Sequence, residues 1–205
     1  MPRHPRTQDE AAVFLNVPFD AGYEPLFVAL IAALVAIGRK PRCVLELPDH
    51  GQGRLERIVQ HMAACRVSIH DLSRGGSPVR FNMPFELGLA FALRTYQPSG
   101  RKHSFVLLER TPHRLDRTLS DMRGRDAYVH EGKPRGVISA VLDSLGPGPN
   151  HPSPGDVYVL WRRLMKDSRV LKKEHSSKTL FGGTLFRGLV AAAGLRAVDQ
   201  GLISG

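Results

Sequence analysis

Between residues 12 and 145 short apolar runs of strand length alternate with longer stretches of helical spacing, and this alternation constrains the fold more than any other feature. Buried strands are predicted at 12–17, 42–47, 66–70 and 104–108, with a weaker fifth at 127–129. Helices are predicted at 23–37, which Gly38 ends, and at 54–64, where Leu55, Ile58, Val59 and Met62 recur at helical spacing. Further helices are predicted from Pro84 to Leu93, at 113–122, and at 134–145 with Val137, Ile138, Val141 and Leu142 as the buried stripe. Strands that each feed a helix must return in the same direction, so the expected core is a mostly parallel five-stranded sheet covered on both faces. The fold class expected is a three-layer α/β domain over 11–145.

The flanks differ in composition. Residues 1–10 are polar and proline-bearing and read as a flexible tail. Residues 146–155 hold four prolines and three glycines, a linker composition that neither helix nor strand interior tolerates. Beyond it, 156–173 and 184–203 read as helices of a basic extension, 156–205, across whose linker few contacts are expected. The extension carries nine Lys/Arg against four Asp/Glu and so supplies half of the net charge of +10. Such a balance favours anionic partners: nucleotides, nucleic acid or acidic proteins. Two cysteines, Cys43 and Cys65, make neither a disulfide framework nor a metal site, so a reducing, cytoplasmic setting and no metal are expected. The opening residues lack the apolar run of a signal peptide, and the longest apolar segment, 25–37, is too short to span a bilayer, so no membrane partner is expected.

In parallel sheets ligands bind beyond the carboxyl ends of the strands. That rule gathers the loops 18–23, 48–54 and 71–83 into one crevice, with Asn16, Asp20, Asp49, His50, Arg54, Asp71, Ser73, Arg74, Arg80 and Asn82 as its polar members. Glu86 borders it. Placed in the first turn of a helix that starts at Pro84, Glu86 shares its face with Leu89, Ala90 and Leu93, and no cation lies on that face to pair with it. An unpaired carboxylate on an apolar face must be neutralised, solvated in a cleft or matched to a ligand. The alternative is a carboxylate that complements the helix dipole.

Asp71 and Glu86, both expected to open to the same pocket, could serve cleavage of a bond between a sugar and a base. Positive charge builds on the sugar as that bond breaks, and one carboxylate can stabilise it or attack C1 while a second holds hydroxyls or moves a proton. The Gly75-Gly76 loop with Arg74 and Arg80 would suit a phosphate.

Asp71-Leu72-Ser73, followed by Asn82-Met83-Pro84-Phe85-Glu86-Leu87-Gly88-Leu89-Ala90, resembles the signature of nucleoside 2-deoxyribosyltransferase-like proteins and of a group of bacterial TIR-like proteins. The chain is also similar to an uncharacterised bacterial family with an Asn-Val-Pro-Phe-Asp segment, here Asn16 to Asp20, and a Phe-Asn-Met-Pro-Phe-Glu-Leu-Gly segment, here Phe81 to Gly88. The resemblance covers about residues 12–145 and implies a flavodoxin/TIR-like sheet. It implies Glu86 as the nucleophile at C1 and Asp71 in the substrate pocket; Asn16, Phe19, Asp20, Ser73, Arg74, Arg80, Asn82 and Met83 of the crevice are the residues expected to bind substrate. It also implies a homo-oligomer and a role in bacterial anti-phage defence. No counterpart exists here for the late residue with which the transferases complete a neighbouring subunit's site, which favours hydrolysis over transfer.

The function expected is hydrolysis of the N-glycosidic bond of a nucleotide, nucleoside or NAD, these being substrates, with no cofactor. The alternative from another class is a non-catalytic nucleotide-sensing module that signals through its C-terminal helices. A third is nucleic-acid binding by the basic extension.

Overall fold

A computed structural model describes residues 8–46, 53–74, 81–97, 102–122, 124–145 and 151–204. Five strands, β1 (Asp9–Asn16), β2 (Lys40–Arg42), β3 (Cys65–Asp71), β4 (Ser104–Glu109) and β5 (Tyr128–Val129), form one sheet in the order β2-β1-β3-β4-β5. Every pairing is parallel. This is the doubly wound 2-1-3-4-5 order, in which the chain reverses its direction of travel across the sheet between β1 and β3.

Side-chain alternation divides the sheet into two faces. Val13, Leu15, Val67 and Ile69 point to one side, where α1 (Glu24–Ala36) and α5 (Pro134–Ser144) cover them. Ala12 and Phe14 point to the other, against Ile58 and Met62 of α2 (Arg54–Ala64) and Ala90 of α3 (Asn82–Tyr96). A smaller cluster joins Met83 and Leu87 of α3 to Leu72, Leu107 and Leu115, the last on the short helix α4 (Arg114–Thr118).

Two further helices, α6 (Pro154–Glu174) and α7 (Gly183–Asp199), lie over α1. The expectation of an appendage with few contacts across the linker is corrected here. Leu160, Leu164, Phe186, Leu189 and Ala193 belong to the same apolar core as α1. Trp161 Nε1 donates to the Pro25 carbonyl at 3.0 Å, and the buried Glu24 carboxylate accepts from Lys172 Nζ at 2.7 Å and from the Leu180 amide at 2.8 Å. The cause is α1 itself. Leu26 and its neighbours to Ala36 are apolar around the whole circumference, and a helix apolar on every side must be covered on every side. Each buried Leu, Phe or Ile contributes about 1.5–3 kcal/mol, which the sheet and α5 alone would leave half realised.

Smaller corrections have local causes. The first strand begins at Asp9, inside the expected tail, where it pairs with Cys65. The second strand covers Lys40–Arg42 rather than 42–47, because the Glu46 carboxylate folds back to accept from Arg42 Nε at 2.9 and 3.1 Å and from the Cys43 amide at 2.8 Å. That turns the chain at Val44–Glu46. The α6 helix begins at Pro154 because Ser153 Oγ caps it, accepting from the Asp156 amide at 3.2 Å. No helix among the described residues is long and apolar enough to cross a membrane.

Candidate functional site

At the switch between β1 and β3 a cleft of about 220 Å³ opens beyond the carboxyl ends of the strands. Asn16 and Phe19 come from the end of β1, Arg74 from the segment after β3, Arg54 from the first turn of α2, and Asn82, Met83 and Glu86 from α3. Phe14, Val44 and Ile58 supply apolar wall.

The α3 helix starts at Asn82, two residues before the expected position. Pro84 is tolerated there because the first four helical N–H groups have no partner within the helix. Glu86 consequently lies beyond the first turn, where the helix dipole has faded, so complementing the dipole does not account for it. Glu86 is buried and lines the cleft, with the amides of Asn16 and Asn82 beside it favouring its charged form. Burial pushes its pKa above the ordinary carboxylate value, against the opposing charge of Arg54 and the two amides. The cation missing from its own helix face is thus supplied from α2, and no direct ion pair to Glu86 forms among the described residues.

Behind Asn16 a buried polar chain runs under the sheet surface. Asn16 Nδ2 lies 3.0 Å from His70 Nδ1, His70 Nε2 lies 2.8 Å from Ser68 Oγ, Ser68 Oγ lies 2.8 Å from His103 Nε2, and His103 Nδ1 lies 3.0 Å from the Cys65 carbonyl. An amide nitrogen can only donate and a carbonyl can only accept, so both ends fix the same direction. Asn16 donates to His70, His70 through Nε2–H to Ser68, Ser68 to His103, and His103 through Nδ1–H to the backbone. Both rings are therefore neutral, and burial holds their pKa values down, that of His70 to about 3. The chain fixes the orientation of the Asn16 amide, whose nitrogen it turns toward both His70 and Glu86.

Asp71 does not share the cleft, which corrects its assignment as a second catalytic carboxylate. Its strand parity is that of Val67 and Ile69, so it points to the α1 side of the sheet, away from α3. There it is wholly buried and hydrogen-bonded by the Tyr23 hydroxyl, the Ser73 amide at 2.8 Å and His130 Nε2 at 3.1 Å. Burial raises its pKa, but His130, Ser73 and Tyr23 outweigh burial and hold it below the ordinary value. Ser73 is turned to the same cluster, its Oγ 2.8 Å from His130 Nε2. The Gly132 amide donates to His130 Nδ1 at 2.9 Å, so the ring proton sits on Nε2, between Asp71 and Ser73. A serine nucleophile needs an unprotonated nitrogen facing it and a carboxylate on the other one, so this grouping is not a triad.

Asp20 does not line the cleft but accepts from Arg74 Nη1, which does, at 2.6 Å. Arg80, Asp49 and His50 lie outside the described residues. Of the expected binding residues the structure therefore brings together Asn16, Phe19, Arg74, Asn82 and Met83 around Glu86. His70, Ser68, His103, Tyr23 and His130 were not singled out from sequence. Ser68 and His70 had left a signal, two polar side chains on one face of a strand whose other face is Val67 and Ile69. Cys43 and Cys65 are buried free thiols, that of Cys65 pushed up to about 12 by burial. Among the described residues no three His, Cys, Asp or Glu side chains are grouped to hold a metal ion. Comparison with protein-family models, with curated proteins and with solved structures finds no match.

Proposed function

We propose that the protein hydrolyses the N-glycosidic bond of a nucleotide-type substrate, a nucleotide, nucleoside or NAD, with Glu86 as the catalytic carboxylate. The observation that carries this is a buried carboxylate with no direct ion pair among the described residues, lining with two amides a cleft on the sheet's switch point. Glu86 attacks C1 or stabilises its positive charge as the C1–N bond breaks, the bonding pair leaving with the base. In the covalent route water then opens the glycosyl ester; its oxygen stays on C1 with one proton as the sugar hydroxyl, and its other proton ends on the released base of a nucleoside or nucleotide, or in solvent where neutral nicotinamide leaves NAD. Asn16 and Asn82 orient the carboxylate, Phe19 offers a base an apolar surface, and Arg54 and Arg74 supply positive charge for phosphate. The resemblance of the Asn82 to Ala90 segment to deoxyribosyltransferase-like and TIR-like proteins supports the same chemistry, and with it a place in bacterial defence.

Incubation with NAD, NADP and a panel of nucleosides and nucleotides, with free base resolved by chromatography, tests the activity. Glu86→Gln keeps size and hydrogen bonding but loses charge and nucleophilicity, so turnover should fall by about a thousandfold or more while calorimetric affinity changes little. Since the ionised form reacts, the rate should rise with pH through a value above the ordinary carboxylate range. A Glu86→Gln protein with wild-type turnover would sink the assignment.

One observation favours the non-catalytic sensor as the second reading. Phe19 of the cleft packs against Phe181, between α6 and α7, with tilted rings whose centroids are 5.4 Å apart, and Phe181 also meets Phe27 of α1 at 5.4 Å. A ligand that moves Phe19 would be felt in the C-terminal helices. That reading predicts nucleotide binding with slowed hydrogen exchange in α6 and α7 and no released base.

A further inference from the structure

The helix that carries Glu86 is apolar on both sides, yet among the described residues only one side is covered. Met83, Leu87 and Ala90 face the sheet and are buried. On the opposite side Phe81 is 77% exposed, Phe85 56% and Tyr96 84%. Helical spacing aligns these three with Gly88, Leu89 and Ala92 in one stripe about 22 Å long. Neither charged residue of α3 lies on it: Glu86 turns into the cleft, and the Arg94 guanidinium stands 5.7 Å over the Phe105 ring. A helix apolar on both sides ordinarily has both sides buried.

The order of residues along the stripe says what covers it. Reversed about a point between Gly88 and Leu89, the stripe matches itself: Phe85 falls level with Ala92, Phe81 with Tyr96, and Gly88 with Leu89. Large thus meets small, and the aromatic ends meet each other, the self-complementarity that a two-fold interface demands. Gly88 sits at the centre, and a Cβ built there would touch nothing among the described residues within 4 Å. Neither intrachain packing nor backbone conformation therefore calls for glycine, although glycine costs a helix about 1 kcal/mol relative to alanine. Close approach of a second backbone accounts for it. Charge points to the same occupant. A molecule of net charge +10 repels its own copies except where its surface is uncharged, and a nucleic acid would find no cation on this stripe.

We propose that the outer face of α3 is a homodimer interface, with α3 packed antiparallel on α3 of a second copy about a two-fold axis passing between Gly88 and Leu89. This surface is independent of the chemistry assigned to the cleft. It borders that cleft through Asn82, which lies at the edge of the stripe and among the cleft residues.

Sedimentation of the full chain, with circular dichroism on each variant, tests it. The wild type should be dimeric, and Phe85→Glu should be folded and monomeric, with association weakened by about a hundredfold or more, because two carboxylates would be buried unpaired. Gly88→Cys should give a covalent dimer under mild oxidation, whereas Lys173→Cys on α6 should not; the native thiols are buried and do not compete. The crosslink keeps the test decisive if Phe85→Glu fails to fold. A monomeric wild type at millimolar concentration, a dimer that survives Phe85→Glu, or a dimer that Gly88→Cys cannot crosslink would each overturn the proposal. Sedimentation of a monomeric wild type with phosphatidylserine/phosphatidylcholine vesicles, abolished by Phe85→Glu, would overturn it in favour of a membrane surface.

Discussion

Glu86 depends on residues that never touch the cleft. The Asn16 amide can present nitrogen to Glu86 only while His70 accepts its second hydrogen, and His70 can accept only while neutral. Protonating His70 would place two donors face to face and a charge in an apolar interior, so its folded pKa of about 3 lies far below the ordinary 6.5. The unfolded chain then binds the extra proton, and stability falls as pH drops from about 6.5 toward about 3, on the order of 2 kcal/mol by pH 5. His103 adds with the same sign, while Glu86 and Glu109, whose folded values are raised, oppose it as they take up protons in the folded state. Urea unfolding at pH 7.5 and 5.0 should therefore show a smaller loss in His70→Gln than in wild type; equal losses would remove His70 as the titrating group. Glu86 was legible in sequence because a charge on an apolar helix face has few explanations. Asp71 is different: its place at a strand end points to the cleft, but its parity with Val67 and Ile69 sends it through the sheet to Tyr23 and His130. Those partners lie 48 residues before it and near the far end of the sheet, a separation that no local pattern spans.

At the scale of elements, periodicity located every α-helix of the sheet domain and four of the five strands, and it missed β2, where a single side chain rewrote the backbone. Glu46 turns the chain there, and α4 stops at Thr118, the expected helix continuing only as a separate turn at Ser120–Met122. Close approach of elements is likewise carried by single residues. At Gly136 in the first turn of α5 a Cβ would stand 2.5 Å from the His130 carbonyl oxygen and 2.7 Å from its Cα, backbone atoms that cannot step aside. Gly136→Ala should therefore destabilise by about 1–3 kcal/mol, the usual range for overpacking. Gly194 in α7 has nothing within 4 Å of its Cβ position and helical backbone, so Gly194→Ala should stabilise by up to about 1 kcal/mol. Thermal melts of the two variants should move in opposite directions. A shared direction would mean that helix propensity, and not the fit of α5 on β5, governs both sites.

The whole molecule folds around α1, and the linker that divides the sequence by composition does not divide the structure. Proline and glycine say only that residues 146–155 are not helix or strand interior; whether the helices beyond them pack back is decided by what surface awaits them. Here the all-round apolar circumference of α1 and the Glu24 carboxylate wait for α6 and α7, and the helices answer with Leu160, Leu164, Phe186 and Lys172. Trp161, the single tryptophan, sits in α6 with its indole nitrogen on the Pro25 carbonyl, so its fluorescence reports this contact while far-ultraviolet circular dichroism reports the whole chain. If the extension and the sheet domain share one core, urea should unfold both in one transition with coincident midpoints by the two probes. An independent appendage would instead release Trp161 at lower urea than the sheet. Truncation after residue 150 provides the converse test. It strips the outer side of α1 and leaves Glu24 without Lys172 and the Leu180 amide, so the remainder should aggregate or lose its cooperative melt. A soluble truncation with a sharp transition near the full-length midpoint would show instead that α1 tolerates water on that side, and the compositional boundary would then be the structural one.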